Sequence, residues 1–503
     1  MKDIFTLSPV FSDNMVLQHG TQVKIWGTAQ DGQTVTVELH NSTASCKAEA
    51  GKWCAVIGPL NPGGPFDLTV KCAGEVKKLK NILVGEVWIA GGQSNMEQPL
   101  FITEHANEEI PAANYPEIRF YTVPRRPFEN AVIEGYHFEA TLSENTCWQV
   151  CTPDTAMHFS GVAFHFAKEL YRSLKIPIGI ISCNWGGTPA QAWMGEKYLR
   201  DDPELKTILD HYNNIEQKLN MEEYEAKFQE YLDKLHEFNK AVGNELARTP
   251  QSGQLPSPPM GPKCFSRPCG LYHTMFRKIT PFTVKGVIWY QGESNAHQAG
   301  LYKKIFTAMI QNWRDDLENS SLPFLFVQLA PFKGWYAEND TSWASLREAQ
   351  LDTLKSVNNT AMVVITDCGE SNNIHPRNKK TVGERLAAAA RGMVYGENIE
   401  YSGPIFRDMK IEGKNAILYF DHVGKGLTFI GEEPLGFEIC GREGVYLKAD
   451  VCIKGNTIVA SNPEIDEPYG VRYGWSNFPE VNFYNIDGFP ASPFRAFRGN
   501  KSS

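Results

Sequence analysis

Ile82-Leu83-Val84-Gly85-Glu86-Val87-Trp88-Ile89-Ala90-Gly91-Gly92-Gln93-Ser94-Asn95-Met96-Glu97 is the passage on which the fold turns. Val84 to Ala90 is a short apolar run of the kind that fills a strand buried on both faces, and it runs straight into paired glycines and a serine. Strands then alternate with helices. Phe159 to Leu174 sets Val162, Phe166, Leu170 and Leu174 at helical spacing, and Ile178-Gly179-Ile180-Ile181 is a second buried strand that leads to Gly186-Gly187. Gly286-Val287-Ile288-Trp289-Tyr290 is a third, followed by a helix carrying Ile305, Met309 and Leu317. Phe324 to Leu329, a helix around Leu346 to Leu354, and Ala361 to Thr366 continue the pattern. Such alternation predicts an α/β domain with a mainly parallel sheet covered on both faces, whose ligands sit at the carboxyl ends of the strands.

Outside this stretch the periodicity changes. Val35-Thr36-Val37-Glu38-Leu39 alternates with period two, and Asp31-Gly32 and Asn61-Pro62-Gly63-Gly64-Pro65 read as turns, so residues 1–81 are expected to form an N-terminal β-sandwich-like module. The α/β domain is expected over 82–400, and residues 401–503, with short strands such as Ala416 to Phe420 and Thr457 to Ala460, form a C-terminal β module. Within the central domain, about 198–247 reads as a helical hairpin. Leu205, Ile208, Tyr212, Ile215 and Leu219 share one face, and Tyr224, Phe228, Tyr231, Leu235 and Phe238 share another. The hairpin serves as a cleft wall or as decoration; its pattern fits both.

At 503 residues, with 42% hydrophobic and 21% charged residues, the chain has the balance of a globular enzyme with more than one core. A net charge of −9 and no basic stripe exclude nucleic acid as an expected partner. No apolar run spans a bilayer, so no membrane partner is expected. The opening Met1-Lys2-Asp3-Ile4-Phe5 lacks the apolar core of a signal peptide, which fits a cytoplasmic protein, or a secreted one whose leader has been removed. Eleven cysteines, an odd number without a CxxC pair, argue against a disulfide framework and a zinc ribbon, and no metal or other cofactor is expected. Aromatic residues reach 12%, which suits sugar-stacking clefts and large packed cores alike.

Four polar motifs follow the apolar strands. In Gly91-Gly92-Gln93-Ser94-Asn95, a serine flanked by glycine can sit on a sharp turn as a nucleophile, with its own amide aimed at an oxyanion. Asn184-Trp185-Gly186-Gly187-Thr188-Pro189 offers glycine amides to the same oxyanion, although ordinary strand-to-loop turns look alike. Tyr290-Gln291-Gly292-Glu293-Ser294-Asn295 offers Gln291 or Asn295 as a side-chain donor. Ile374-His375-Pro376, after the last strand and near acidic groups, offers an imidazole to take and return the serine proton.

The ordered set Gly92-Gln93-Ser94-Asn95-Met96, Trp185-Gly186-Gly187-Thr188-Pro189, Trp289-Tyr290-Gln291-Gly292-Glu293-Ser294-Asn295 and Ile374-His375-Pro376 resembles the sialate O-acetylesterase family, within the SGNH hydrolases. Phe11-Ser12-Asp13-Asn14-Met15-Val16-Leu17-Gln18 is similar to the family's opening; Val471-Arg472-Tyr473-Gly474-Trp475 and Pro490-Ala491-Ser492-Pro493-Phe494-Arg495 are similar to its close. The resemblance implies a flavodoxin-like SGNH domain and a carbohydrate O-acetylesterase. Ser94 is then the nucleophile, His375 the general base, and the Ser94 amide, the Gly186 or Gly187 amide and Gln291 or Asn295 the oxyanion hole. Asn372 stands where many SGNH enzymes hold an aspartate, so the acid partner of His375 is Glu293 or Asp367, or the enzyme works as a dyad. O-acetylated sialic acids are the implied substrate, with acetylated xylan or another hemicellulose the alternative. A non-catalytic sugar-binding protein would need neither Ser94 nor His375. Oligomeric state has no signature in the sequence.

Overall fold

The computed structural model describes residues 5–129, 146–246, 256–334 and 340–499. The chain divides into two compact units, Met1–Ile288 with Ala308–Pro323, and Trp289–Thr307 with Phe324–Ser503.

In the first unit, one strand, Glu75–Gly92, runs through the expected boundary at residue 81 without a break. Residues 75–81 alternate in exposure and pair antiparallel with Gly63–Cys72; from Ile82 onward every residue is buried. The change at Ile82 therefore marks the point where both faces of the sheet become covered. Beyond it the strand pairs parallel with Ile178–Asn184, Glu86 opposite Ile178 and Gly92 opposite Asn184. Ile178–Asn184 pairs parallel in turn with Tyr115–Thr122, and Gln149–Cys151 closes that edge antiparallel, giving a mixed sheet with a parallel centre. The opening signature is structural: Val16–Gln18 adds a parallel strand to Leu83–Gly85, and buried Gln18 donates to Glu86 Oε2 at 3.0 Å and accepts from the Val87 amide at 2.9 Å.

The helix Gly161–Leu174 begins where the Ser160 hydroxyl accepts from the Ala163 amide and ends at Lys175 in the left-handed conformation. Its Phe166 meets Trp88 of the sheet edge to face at 5.1 Å. The expected hairpin forms as Pro203–Gln217 and Met221–Leu246. Tyr224, Phe228, Tyr231 and Leu235 are buried along one face of its second helix. Six of the eleven tryptophans (Trp88, Trp148, Trp193, Trp289, Trp313 and Trp343) are among the largest fully buried side chains, so the aromatic content serves mainly the core.

In the second unit, Phe324–Val327 and Thr360–Val363 are parallel and joined through the helix Ser342–Ser356. A further helix, Lys379–Ala389, starts at Asn378, whose side chain accepts from the Thr381 amide. The C-terminal part holds two four-stranded antiparallel sheets and a two-stranded one. The closing signatures lie here: Ser492 Oγ accepts from Gln328 at 2.9 Å, and Arg495 pairs with Glu348 while its guanidinium covers Trp475 at 3.9 Å. All eleven cysteines are free thiols, seven of them buried. Among the described residues no helix is long and apolar enough to cross a membrane, and no cluster of three metal-ligating side chains forms.

A Cβ on Gly85 would lie 2.0 Å from the Pro177 carbonyl oxygen, a backbone atom that cannot rotate away. Gly85→Ala is therefore expected to cost about 2 kcal/mol or more. Gly300→Ala, in a helix with nothing within 4 Å, is expected to cost nothing or to stabilise by about 0.5 kcal/mol. Urea unfolding of the two variants checks the contrast.

Candidate active site

Ser94 stands at the carboxyl end of the long strand. Gly92 takes φ +136°, Gln93 is extended, and Ser94 opens a one-turn helix to Glu97, in which the Glu97 amide donates to Gln93 O at 3.0 Å and the Gln98 amide to Ser94 O at 2.8 Å. Asn95 and Met96 point inward and are buried, the Ser160 hydroxyl holds Met96 O at 2.6 Å, and Ser94 itself is half-buried. A non-glycine residue at 92 would strain the backbone on which this turn depends.

The second motif lies against it. The Trp185 amide donates to Gly92 O at 3.1 Å, and a Cβ on Gly186 would come within 3.2 Å of Ser94 Cβ. The Gly186 amide, one of the two glycine amides offered to the oxyanion, donates to Glu97 Oε2 at 2.6 Å. Glu97 Oε1 in turn pairs with Arg125 at 3.1 Å, and Arg125 Nε donates to Asn184 O at 3.3 Å. The ion pair is nearly enclosed, with side chains 14% and 6% exposed, so each charge needs the other. The amide of Gly187, the other candidate, donates to no group among the described residues. Sequence reasoning passed over Glu97 and Arg125. Glu97 carried a signal, its place one turn after Ser94, and Arg125 carried none.

The third motif belongs to the second unit. Gly292 adopts φ +153°, and a Cβ there would meet Leu346 Cδ2 at 2.5 Å. Gln291 and Asn295, both fully buried, are brought together: Gln291 Nε2 donates to Asn295 Oδ1 at 2.7 Å, while Tyr302 Oη donates to Gln291 Oε1 at 2.9 Å. Gln350 holds the Gln291 carbonyl at 3.3 Å. Gln291 and Asn295 are thus held to each other, with Tyr302 bracing the Gln291 side chain.

His375 lies in the same unit, on a loop built by Asn373 and Glu370. Asn373 Oδ1 accepts from the His375 amide at 3.0 Å, and Asn373 Nδ2 donates to His375 O at 2.9 Å and to Glu370 Oε2 at 3.0 Å. The Arg377 amide donates to Glu370 Oε1 at 2.7 Å. Asn372 is exposed, so the asparagine that shapes the histidine loop is its neighbour, a role the sequence did not disclose.

The two candidate acids differ in their surroundings. Both oxygens of Asp367 are held by the Arg385 fork at 2.6 Å; partial burial works against the charge, but the fork keeps this carboxyl below its ordinary value. Glu293 is buried, and its charge is felt by Tyr290, Tyr302 and Lys379. Lys379 is almost fully enclosed, with Nζ 5.6 Å from the Tyr290 ring centroid. Burial brings its pKa down to about 7 against the opposing pull of Glu293 and Glu370.

The comparisons with known proteins agree with these motifs. Residues 261–391 match the family described as carbohydrate esterase, sialic acid-specific acetylesterase. A carbohydrate acetylesterase from Xanthomonas citri is 34% identical, covers 98% of this chain and 99% of its own, and superposes with a TM-score of 0.79. The sialate O-acetylesterase of Rattus norvegicus is 28% identical over 98% of this chain and 94% of its own length, and that of Homo sapiens 26% identical over 98% and 92%. Fold and site define a hydrolase of the carbohydrate esterase class. Within that class, the chain belongs to the sialate O-acetylesterase family.

Lys379 carries a testable consequence. Its folded pKa lies below the ordinary lysine value of 10.5, so between about 7 and 10.5 the unfolded chain holds a proton that the native chain lacks. Stability then rises with pH across this window by up to about 1.4 kcal/mol per pH unit, and below it the contribution is lost. Lys379→Met should remove the slope: from about pH 7 to about pH 9 the wild type should gain about 2 kcal/mol relative to the variant in urea titrations. Parallel pH dependences would refute the assignment.

Proposed function

We propose that the protein removes O-acetyl groups from sialic acids through an acyl-enzyme on Ser94. The reading rests on one observation above the others: Ser94 stands on a glycine-permitted turn at the carboxyl end of a buried parallel strand, against Gly186, in a chain similar to sialate O-acetylesterases along nearly its whole length. In this reaction His375 takes the Ser94 proton as Oγ attacks the acetyl carbonyl. The amides of Ser94 and Gly187 and the Asn295 side chain stabilise the oxyanion. Collapse expels the sugar hydroxyl, which recovers the proton from His375, and a water deprotonated by His375 then releases acetate. The SGNH arrangement of the flavodoxin-like sheet is part of the same proposal.

Glu293 is the proposed acid partner, because Asp367 already has the Arg385 fork. Glu293→Gln should lower kcat about a hundredfold or more and Asp367→Asn much less. Near wild-type turnover in both would leave a dyad.

Acetate release from O-acetylated sialic acids, acetylated xylooligosaccharides and a chromogenic acetate tests the substrate. Cleavage of the sialic acid in preference to the xylooligosaccharide is expected, and the reverse order would favour a hemicellulose esterase. Ser94→Ala should lose at least about a thousandfold in kcat without loss of fold. Asn295→Ala should lose about a hundredfold, the scale of a single oxyanion donor. Activity of Ser94→Ala above a few per cent would reject the nucleophile.

A further inference from the structure

Within the first unit, the short helix Glu196–Arg200, the hairpin helix Pro203–Gln217 and the segment around Arg267 to His273 enclose a polar cavity of about 390 Å³. That volume suits one monosaccharide. Two pairs of charged groups in its wall are matched along their own helices, with Arg200 3.6 Å from Glu196 and Lys206 2.6 Å from Asp210, while the Glu216 carboxylate accepts from the neutral Tyr212 hydroxyl at 3.4 Å.

Arg267 stands apart. Its Nη1 donates to two backbone carbonyls, Pro127 O and Cys264 O, and among the described residues its guanidinium pairs with no carboxylate. Neutral carbonyls fix the orientation of the group without cancelling its charge. A half-buried guanidinium held in this way, on a residue that lines a polar cavity, has the planar geometry that pairs with a carboxylate.

The same segment is tied to the turn that carries Ser94. Phe265 stacks on Trp185 at 4.9 Å and 9°, and Trp185 precedes the glycine that lies against Ser94. Pro127, the carbonyl partner of Arg267, lies beside Arg126 and close to Arg125, which pairs with Glu97 of the serine turn. The Cys269 amide donates to Gln191 O at 2.9 Å, just beyond the second glycine motif. Three contacts therefore join the Arg267 segment to the stretches of chain around the serine turn.

We propose that this cavity receives the acidic sugar of the substrate and that Arg267 binds its carboxylate. The inference rests on the acetylesterase reading above and adds the feature by which acidic acetylated sugars are told from neutral ones. The hairpin is then a wall of the substrate site.

The test compares an O-acetylated sialic acid with its methyl ester, which keeps the shape and the acetyl group but not the charge. The wild type should show a kcat/KM about 30-fold higher on the free acid, carried mainly by KM, as expected for a charged hydrogen-bonded pair. Arg267→Met should lose that preference, with the acid and its ester becoming equal, and Arg267→Lys should retain part of it. A folding defect would lower both substrates together and leave their ratio unchanged, which would overturn the proposal, as would a wild type indifferent to the ester. Calorimetry with free N-acetylneuraminic acid and its methyl ester on the Ser94→Ala protein reads the same preference without catalysis. If acetate release from sialic acids fails but this carboxylate-dependent binding persists and is lost in Arg267→Met, the substrate reading falls and the cavity assignment stands. If neither protein binds the acid more tightly than its ester, the cavity assignment falls.

Discussion

The first unit is organised by one buried carboxylate. Glu97 takes the Gly186 amide with one oxygen and Arg125 with the other, and Arg125 reaches on to Asn184. Three separate pieces of chain are thereby joined at the end of a parallel strand pair: the serine turn, the loop after Tyr115–Thr122 and the glycine turn after Ile178–Asn184. Backbone pairing sets the strands side by side, but ends at Gly92 and Asn184. Beyond those residues the loops are ordered through Glu97. Charged groups so enclosed are costly when singly removed, because the survivor is left without compensation. Both the position of Gly186 against Ser94 and the course of the chain toward Pro127 depend on this pair.

Three of the carboxylates on or beside the proposed catalytic motifs, Glu97, Asp367 and Glu293, have different cations in their surroundings. Glu97 and Asp367 are matched by arginines, which stay charged at any pH the protein meets, so these pairs are fixed fittings. Glu293 instead shares its surroundings with a lysine whose charge is marginal near neutrality. Of the three, Glu293 alone has a neighbour whose charge can vary.

What the sequence disclosed and what it withheld follow from range. An apolar run, a pair of glycines and a polar residue after them are local signals, and the strand ends bearing Ser94, Gly186 and His375 were legible from them. The helical hairpin was legible from its spacing. Glu97 with Gly186, Gln291 with Tyr302, and Asp367 with Arg385 are hydrogen-bonded across longer stretches of chain, and no periodicity encodes such choices. Of the two glycine amides, that of Gly186 is held by Glu97, an acceptor that no local pattern announces. Hydrophobicity reports how many faces of a strand are covered, and Glu75–Gly92 changes that number midway without ending.

The chain leaves the first unit after Ile288, returns to it at Ala308 and leaves it again after Pro323. Neither unit is a contiguous segment, so Ser94 and His375, the proposed catalytic pair, lie in units that a single cut of the chain does not separate. An exchange of either half between relatives would need three coordinated junctions, one of them inside the helix Ala299–Asp316. Gene fusion and domain shuffling work with single cuts at linkers. A fold threaded in this way offers no single linker at which such a cut would leave both units whole.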